Sequence, residues 1–461
     1  MREIDKKRKQ SSGEPSGVGL FAKKSRTSSK VTELEIKVIA GSGHTFFYIK
    51  GDGEDKLYVC GWNKYGQLGL GDTTDRGQWT EVTSPKEFTI EEVVAGDDHA
   101  FLKGKDVNGE DTLYALGFNR YGQLGLGDTT DRDQWTELTM SNGFTIEEAI
   151  AGLHHNFLKG KGKDGEDKLY ACGWNKYGQL GLGDRRNRYK WTEVPSPKEF
   201  TIEEVISGYT HSFLKGKGKN GQDILYACGR NDSGQLGLGA ERNRQKWTRV
   251  PFPNGFTIEK VMAGGYHSFL KGKGKDGEDK LYACGNNYNG QLGLGRDNED
   301  RTQFTEAPLP EGFNIEKVIA GENHSFLKGK GERGEDKLYA CGWNRCGELG
   351  LGDTTDRGQW TEVTSPQGFS LEKVIPGLYH SFLKGKGKDG EDTLYATGDN
   401  SAGQLGLGDR RRRNKWTEVP VADLLKKLQE DVNDRKQEGG VSEASGSSGF
   451  SMGLNPRDCM F

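Results

Sequence analysis

The sequence predicts an all-β chain folded as a seven-bladed β-propeller of four-stranded antiparallel blades. Three observations lead there. The motif GQLGLG begins at Gly66, Gly122, Gly178, Gly234, Gly290 and Gly403, with the variant GELGLG at Gly347. Successive starts lie 56 residues apart, with one interval of 57. A fixed period of this length marks a repeated structural unit. Each unit holds four short apolar runs bounded by glycine, which suits strands and is too short for helices. Seven such units can bury the blade faces that one alone would leave in water.

The third unit shows the elements in order. Strand A is expected at 148–152, strand B at 155–159, strand C at 168–173 and strand D at 191–194. Between B and C lies Gly160-Lys161-Gly162-Lys163-Asp164-Gly165-Glu166-Asp167, whose Asp-Gly favours positive φ and a hairpin. Alternation of direction places the A–B turns (Ala-Gly-x-x-His) and the C–D loops on one face of the ring. The B–C hairpins and D–A connectors fall on the other.

Recurring side chains supply the expected core. Strand D carries Trp79, Trp135, Trp191, Trp247, Trp360 and Trp416, with Phe304 in unit five. A buried indole removes on the order of 150–250 Å² from water, a gross gain of roughly 4–6 kcal/mol. These indoles are read as anchors between blades. Leu68 and Leu70 of the glycine motif are read as core plugs, and its glycines as positive-φ and close-packing positions. Cys60, Cys172, Cys228, Cys284 and Cys341 share one slot, filled by Leu116 and Thr397 in units two and seven. One cysteine per unit forms no local pair or metal cage, so the slot reads as a small buried residue in a reducing compartment.

Composition narrows the function. Hydrophobic residues make up 32% of the 461, partly because 70 are glycine. The formal net charge of −3 carries no overall basic bias toward nucleic acid. No run of about 18 apolar residues is present for a membrane span, and the charged N-terminus lacks a signal-peptide core. No Ser-His-Asp or Cys-His set stands outside the repeat, so no catalytic residue, cofactor site or metal site is assigned. Seven of the eight histidines (His44, His99, His155, His211, His267, His324 and His380) share one slot. They read as buried imidazoles bonded to a neighbouring turn. His154, outside the pattern, reads as a surface residue. The glycine motif lacks the Lys-Ser/Thr ending of a phosphate loop and precedes a strand, so it reads as structural.

The units differ at the tips of the C–D loops. Units one and six read GDTTDRGQW, unit two GDTTDRDQW and unit five GRDNEDRTQF. Unit three instead carries Arg185, Arg186 and Arg188, and unit four Arg242, Arg244 and Lys246. Unit seven carries Arg410, Arg411, Arg412 and Arg413. A constant frame with varied basic tips suits capture of an acidic protein surface or phosphates, and these ten residues are the candidate partner-binding set.

The pattern G-x-N-x-x-G-Q-L-G-L-G, followed by A-G-x-x-H, resembles the regulator of chromosome condensation repeat over residues 33–420. The resemblance implies a seven-bladed propeller and a protein partner. Members include the nuclear exchange factor for the small GTPase Ran, ubiquitin-ligase and ciliary modules, a plant ultraviolet receptor, and bacterial proteins that act on host Ran. It implies engagement of a Ran-type small GTPase, as regulator or guanine nucleotide exchange factor. The Ran exchanger's β-wedge insertion has no counterpart in these evenly spaced units, which places exchange in doubt. The alternatives are a non-catalytic scaffold or chromatin-binding propeller, and a bacterial effector acting on a host GTPase. The chain is expected to be a monomer, cytoplasmic or nuclear, or in the host cell if an effector.

The ends complete the division. Residues 1–30 read as a disordered basic tail, 31–420 as the propeller, 421–437 as an amphipathic helix and 438–461 as a disordered tail. Lys6, Lys7, Arg8 and Lys9, with Lys23, Lys24 and Arg26, match a bipartite nuclear import signal.

Overall fold

The computed structural model describes residues 35–421, except 51–54, 139, 141, 142 and 296. The import-signal cations and the expected helix and tail lie outside these residues, apart from Val421. In blade one, strand A is Glu35–Ala40, B His44–Lys50, C Lys56–Gly61 and D Arg76–Val82. The same quartet recurs six times, giving seven antiparallel four-stranded sheets in a ring. In blade three the strands are Thr145–Ala151, His155–Lys161, Asp167–Gly173 and Arg188–Glu193. Strand D therefore begins three residues before the expected start, because its first residues are polar. It is the outer edge of the blade, and an edge strand can pair its backbone while its side chains face water.

Strands A, B and C carry the buried residues. The largest fully buried side chains include one strand-B phenylalanine per blade, among them Phe101, Phe157, Phe213, Phe269, Phe326 and Phe382. The strand-D tryptophans are only half-buried, packed on the neighbouring blade's phenylalanine, with Phe157 and Trp247 6.2 Å apart. The indoles lie between blades, as expected of anchors, but at a half-buried margin rather than in the core. Strand D is the solvent edge, so its indole covers the blade margin while the phenylalanine fills the centre.

The glycine motif acts at the joints. Gly127 N–H donates to Tyr189 O at 2.7 Å and Gly183 N–H to Gln245 O at 2.8 Å, so each C–D loop is bonded to strand D of the next blade. The same bond joins Gly408 to Gly77 at 3.0 Å, between blades seven and one. Gly125, at φ +70°, lies flat against Trp191, where a side chain would collide with the indole. The motif is a clasp between blades, and its glycines are required by that contact.

No strand is shared between blades one and seven. The ring closes on an apolar cluster in which Ile36, Val38 and Phe47 meet Ile375, Phe382, Leu394 and Val421. The five slot cysteines are fully buried, and Cys172 Sγ donates to Gln123 O of the preceding blade at 3.2 Å.

Candidate interaction face

The A–B turns and C–D loops meet on one face, tied by bonds such as Phe118 N–H to Asp98 O at 2.8 Å. The turns form its inner ring. Ser42, Asp97, Leu153, Tyr209, Glu322 and Leu378 are among the residues around a cavity of about 130 Å³ at the mouth of the central tunnel. Beneath it stand the seven slot histidines, all fully buried. Except at His44, their bonds run to strand B of the next blade rather than to a turn. His155 Nε2 meets Ser212 Oγ and His211 Nε2 meets Ser268 Oγ, each at 2.9 Å. The serine passes the link on, since Ser212 Oγ donates to Gln179 O at 3.0 Å. Burial, then neighbouring imidazoles, pushes His155, His211 and His324 down to about 3. These imidazoles are neutral bridges between blades, unavailable as general bases.

His154 departs from the surface position expected for it. It is largely buried, with ring centroids 5.2 Å from Phe118 and 5.3 Å from Tyr121, and Nε2 3.8 Å from Asp97. Burial pushes it down to about 3, so it meets Asp97 uncharged. Its isolation in sequence hid the aromatic pocket that the fold builds around it. Burial also raises the nearby acids, Asp98 to about 7 and Glu322 to about 8, and drives Asp97 well upward with help from Asp98 and Glu322.

The outer ring is built around a buried asparagine. Asn63 Oδ1 accepts from Leu68 N–H, its own N–H donates to Asp75, and its Nδ2 donates to Asp72 O, each at 2.9 Å. An arginine then closes the loop. Arg76 holds Asp72 at 2.5 Å, and Arg132 holds Asp128 at 2.6 Å. The same residue is Arg188 in blade three, Arg244 in blade four and Arg413 in blade seven. Arg188 holds Asp184 at 2.9 Å, and Arg413 holds Asp409 at 2.7 Å. Hydrogen bonding from Arg188 keeps Asp184 far below the usual carboxylate range. Three of the ten candidate cations thus stand at a position that every blade fills with arginine.

The others lie at the tips. Arg185, Arg242 and Arg411 are exposed and have no carboxylate partner among the described residues. Arg186 leans on Asp184 at 3.2 Å, Arg412 on Asp399 at 2.9 Å, and Arg410 on Asp75 of blade one at 3.7 Å. Lys246 is exposed, and its backbone pairs with Leu182 of blade three. The same bridge recurs at other joints, including Leu351 to Lys415 between blades six and seven, and the blade-seven tip is also bonded to blade one. Blade four also lacks the aspartate that the loop-closing arginine holds, with Ala240 in its place, so among the described residues Arg244 has only Arg242 O as acceptor, at 2.9 Å. Asn187 and Asn243 replace the second aspartate of blades three and four, donating no charge while accepting the same backbone N–H.

A second asymmetry escaped the sequence reading. Tyr65 and Phe118 lie 4.6 Å apart, Tyr121 stacks on Trp174 at 5.4 Å, and Arg230 bridges Tyr177 at 5.2 Å to Tyr266 at 4.9 Å. An aromatic arc therefore runs over blades one to five of this face. Its signal is GWNKYG and GFNRYG in units one to three, with both an aromatic after the first glycine and a tyrosine before the last, against GRNDSG, GNNYNG, GWNRCG and GDNSAG in units four to seven. These positions were absorbed into a motif read only as structural. Among the described residues, no group of three or more His, Cys, Asp and Glu side chains could hold a metal, and no helix is long and apolar enough to cross a membrane. The face offers half-buried aromatics, unpaired guanidinium groups and a polar mouth, which suits recognition of a macromolecular surface.

A family model, the regulator of chromosome condensation (RCC1) repeat, matches residues 54–102, 110–158, 166–214, 222–270 and 278–327. The chain is 28% identical over 322 residues to the ultraviolet-B receptor UVR8 of Arabidopsis thaliana, covering 70% of this chain and 68% of that protein. It is 33% identical over 329 residues to the X-linked retinitis pigmentosa GTPase regulator of Mus musculus, covering 69% of this chain but only 30% of that protein. In structure it resembles yeast RCC1 (Prp20), solved bound to Kap60, with a TM-score of 0.63, 17% identity and 92% of each chain covered. Prp20p of Saccharomyces cerevisiae, described with its binding to Gsp1p and histones, gives 0.62 at 18% identity, covering 86% of this chain and 89% of that one. At these identities the structures establish the fold alone.

Proposed function

Because this chain belongs to the regulator of chromosome condensation (RCC1) repeat family, we propose that it is an interaction propeller whose loop face engages a Ran-type small GTPase as regulator or guanine nucleotide exchange factor. The observation that carries this reading is the joined basic tip of blades three and four. There Arg185, Arg242 and Arg244 lack a carboxylate partner among the described residues, beside the part of the aromatic arc that Arg230 bridges. Unpaired guanidinium groups attract an acidic surface or phosphates, and the aromatic rings supply contact area. A relative named as a GTPase regulator supports the partner class.

The test is release of fluorescent GDP from Ran and a panel of small GTPases, with pull-downs of nucleotide-free, GDP-bound and GTP-bound forms. Accelerated release that is lost in a variant with Arg185→Ala, Arg242→Ala and Arg244→Ala supports exchange through this surface. Neither release nor binding in any state overturns it.

A second reading is a non-catalytic scaffold or chromatin-binding propeller. It is favoured by the even C–D loops, none of which carries a long insertion. Histones are named in the description of Prp20p. Salt-sensitive capture of nucleosomes, with no GTPase bound, would select this reading.

A further inference from the structure

The A–B turns converge at the tunnel mouth around the cavity of about 130 Å³. The last residue of strand A borders it in every blade. That residue is alanine in five blades, Pro376 in blade seven and Ser207 in blade four. Leu153 and Leu378 extend this apolar wall. Two acids share the cavity with it, Asp97 from blade two and Glu322 from blade six.

Three acceptors here lack donors. Glu322 Oε2 and Ser207 Oγ are closed off from solvent and have no hydrogen-bond partner among the described residues. The Asp97 carboxyl has the uncharged His154 beside it at 3.8 Å, and no hydrogen-bond donor among the described residues. Ser42 and Tyr209, the other polar side chains of the wall, interact with each other. Burial raises both carboxyls, and Asp98 and Glu322 raise Asp97 further. Neither ionises readily without a counter-charge, and a buried acceptor without a donor destabilises the folded chain.

We propose that the tunnel mouth binds a primary alkylammonium group, which donates to Asp97, Glu322 Oε2 and Ser207 Oγ while its methylenes lie on the alanines and leucines. A primary ammonium carries one positive charge and three N–H donors, one for each open acceptor. The cavity has the volume of about four water molecules, room for the ammonium and the methylenes next to it. A divalent metal suits the wall less well, because it takes six or more oxygen ligands and most of this wall is aliphatic. The chemistry is shared by a free alkylamine and by a lysine side chain that a partner presents. The site is separate from the basic tips of the same face.

NMR titration of the full chain with n-butylammonium and with Nα-acetyl-lysine methylamide tests this, at about pH 8, where Glu322 is half ionised. Saturable binding of at least one probe is expected. Tetramethylammonium, which has the charge but no N–H, should bind roughly tenfold more weakly or not at all. Glu322→Gln should weaken amine binding roughly tenfold or more, and Ser207→Ala roughly threefold or more. Without amine, Glu322→Gln should melt no lower than the parent, since an amide replaces a buried acid. A variant with Arg185→Ala, Arg242→Ala and Arg244→Ala should bind amine as the parent does. Tighter binding of the lysine derivative would mark a partner's side chain as the guest, and tighter binding of n-butylammonium a free amine. The proposal is overturned if neither probe saturates, if tetramethylammonium binds equally well, if either single substitution leaves binding unchanged, if the arginine variant abolishes binding, or if calcium chloride displaces the amine.

Discussion

His155 and Ser212 meet at 2.9 Å across the joint between blades three and four, buried from solvent. Equivalent pairs join the other blades, with one exception. His44 has no hydrogen-bond partner on either ring nitrogen, because Ala100 occupies the position where blade four has Ser212.

Ala100→Ser should therefore stabilise the protein by about 1 kcal/mol, supplying His44 with an acceptor in a slot whose counterparts already fit serine. Ser212→Ala should cost roughly 1–3 kcal/mol by stranding His155 and leaving Gln179 O with Cys228 Sγ as its donor. Urea unfolding midpoints measure both. A loss of stability in Ala100→Ser would show that the first joint is packed differently from the rest.

The clasp makes a second prediction. Trp191→Phe should cost little, since blade five already carries Phe304 there and the Trp191 N–H has no acceptor. Gly125→Ala should cost roughly 2 kcal/mol or more, because it combines a left-handed backbone with a collision against the same indole. Thermal melts rank the two. A cheap Gly125→Ala would refute the close contact.

Glu348 stands where six blades have glutamine. Burial pushes its carboxyl up to about 8 from the ordinary 4.5. The folded chain then binds this proton more tightly than the unfolded one, so its contribution to stability falls as pH rises from about 4.5 to about 8. Glu348→Gln should gain on the order of 1–3 kcal/mol at pH 8 and almost nothing at pH 4.5. Equal gains at both values would mean that the carboxyl is not held protonated.

Ala240→Asp supplies blade four with the carboxylate it lacks opposite Arg244. It should leave stability unchanged or raise it by up to about 1 kcal/mol, since Arg244 is partly exposed. It should also weaken binding of an acidic partner, with a smaller salt dependence. Arg188→Ala should do the reverse, lowering stability through Asp184 while touching the partner less. Melting curves and binding isotherms at two ionic strengths separate these effects.

Much of this was legible because repetition turns one residue into seven observations. The histidine slot read as buried because seven bases in one ring have no chemical use. Its acceptor was not legible, since Ser212 belongs to the next unit and only the ring brings them together. The same logic misled where a residue recurred inconspicuously. Arg188 looked like part of a basic run, although Arg76 and Arg132 occupy its position amid acidic neighbours. Where a residue occurs once, as His154 does, the repeat says nothing, and only the packing of Phe118 and Tyr121 places it. The aromatic arc lay in plain sight, but Trp62 and Tyr65 sit inside a motif whose glycines already explained it.

The closure of the ring without a shared strand has a mechanical meaning. Ile36 and Val421 belong to the same apolar cluster, so both ends of the described chain press on a single seam. The polar link there is the longest of the series, His380 to Thr45 at 3.4 Å. Tension applied between these two points falls on one latch of packed side chains and single bonds such as Gly408 N–H to Gly77 O, with no backbone ladder to share it. The ring should spring open at that latch before any blade unravels, and a force trace would show one early low-force release ahead of the seven sheets.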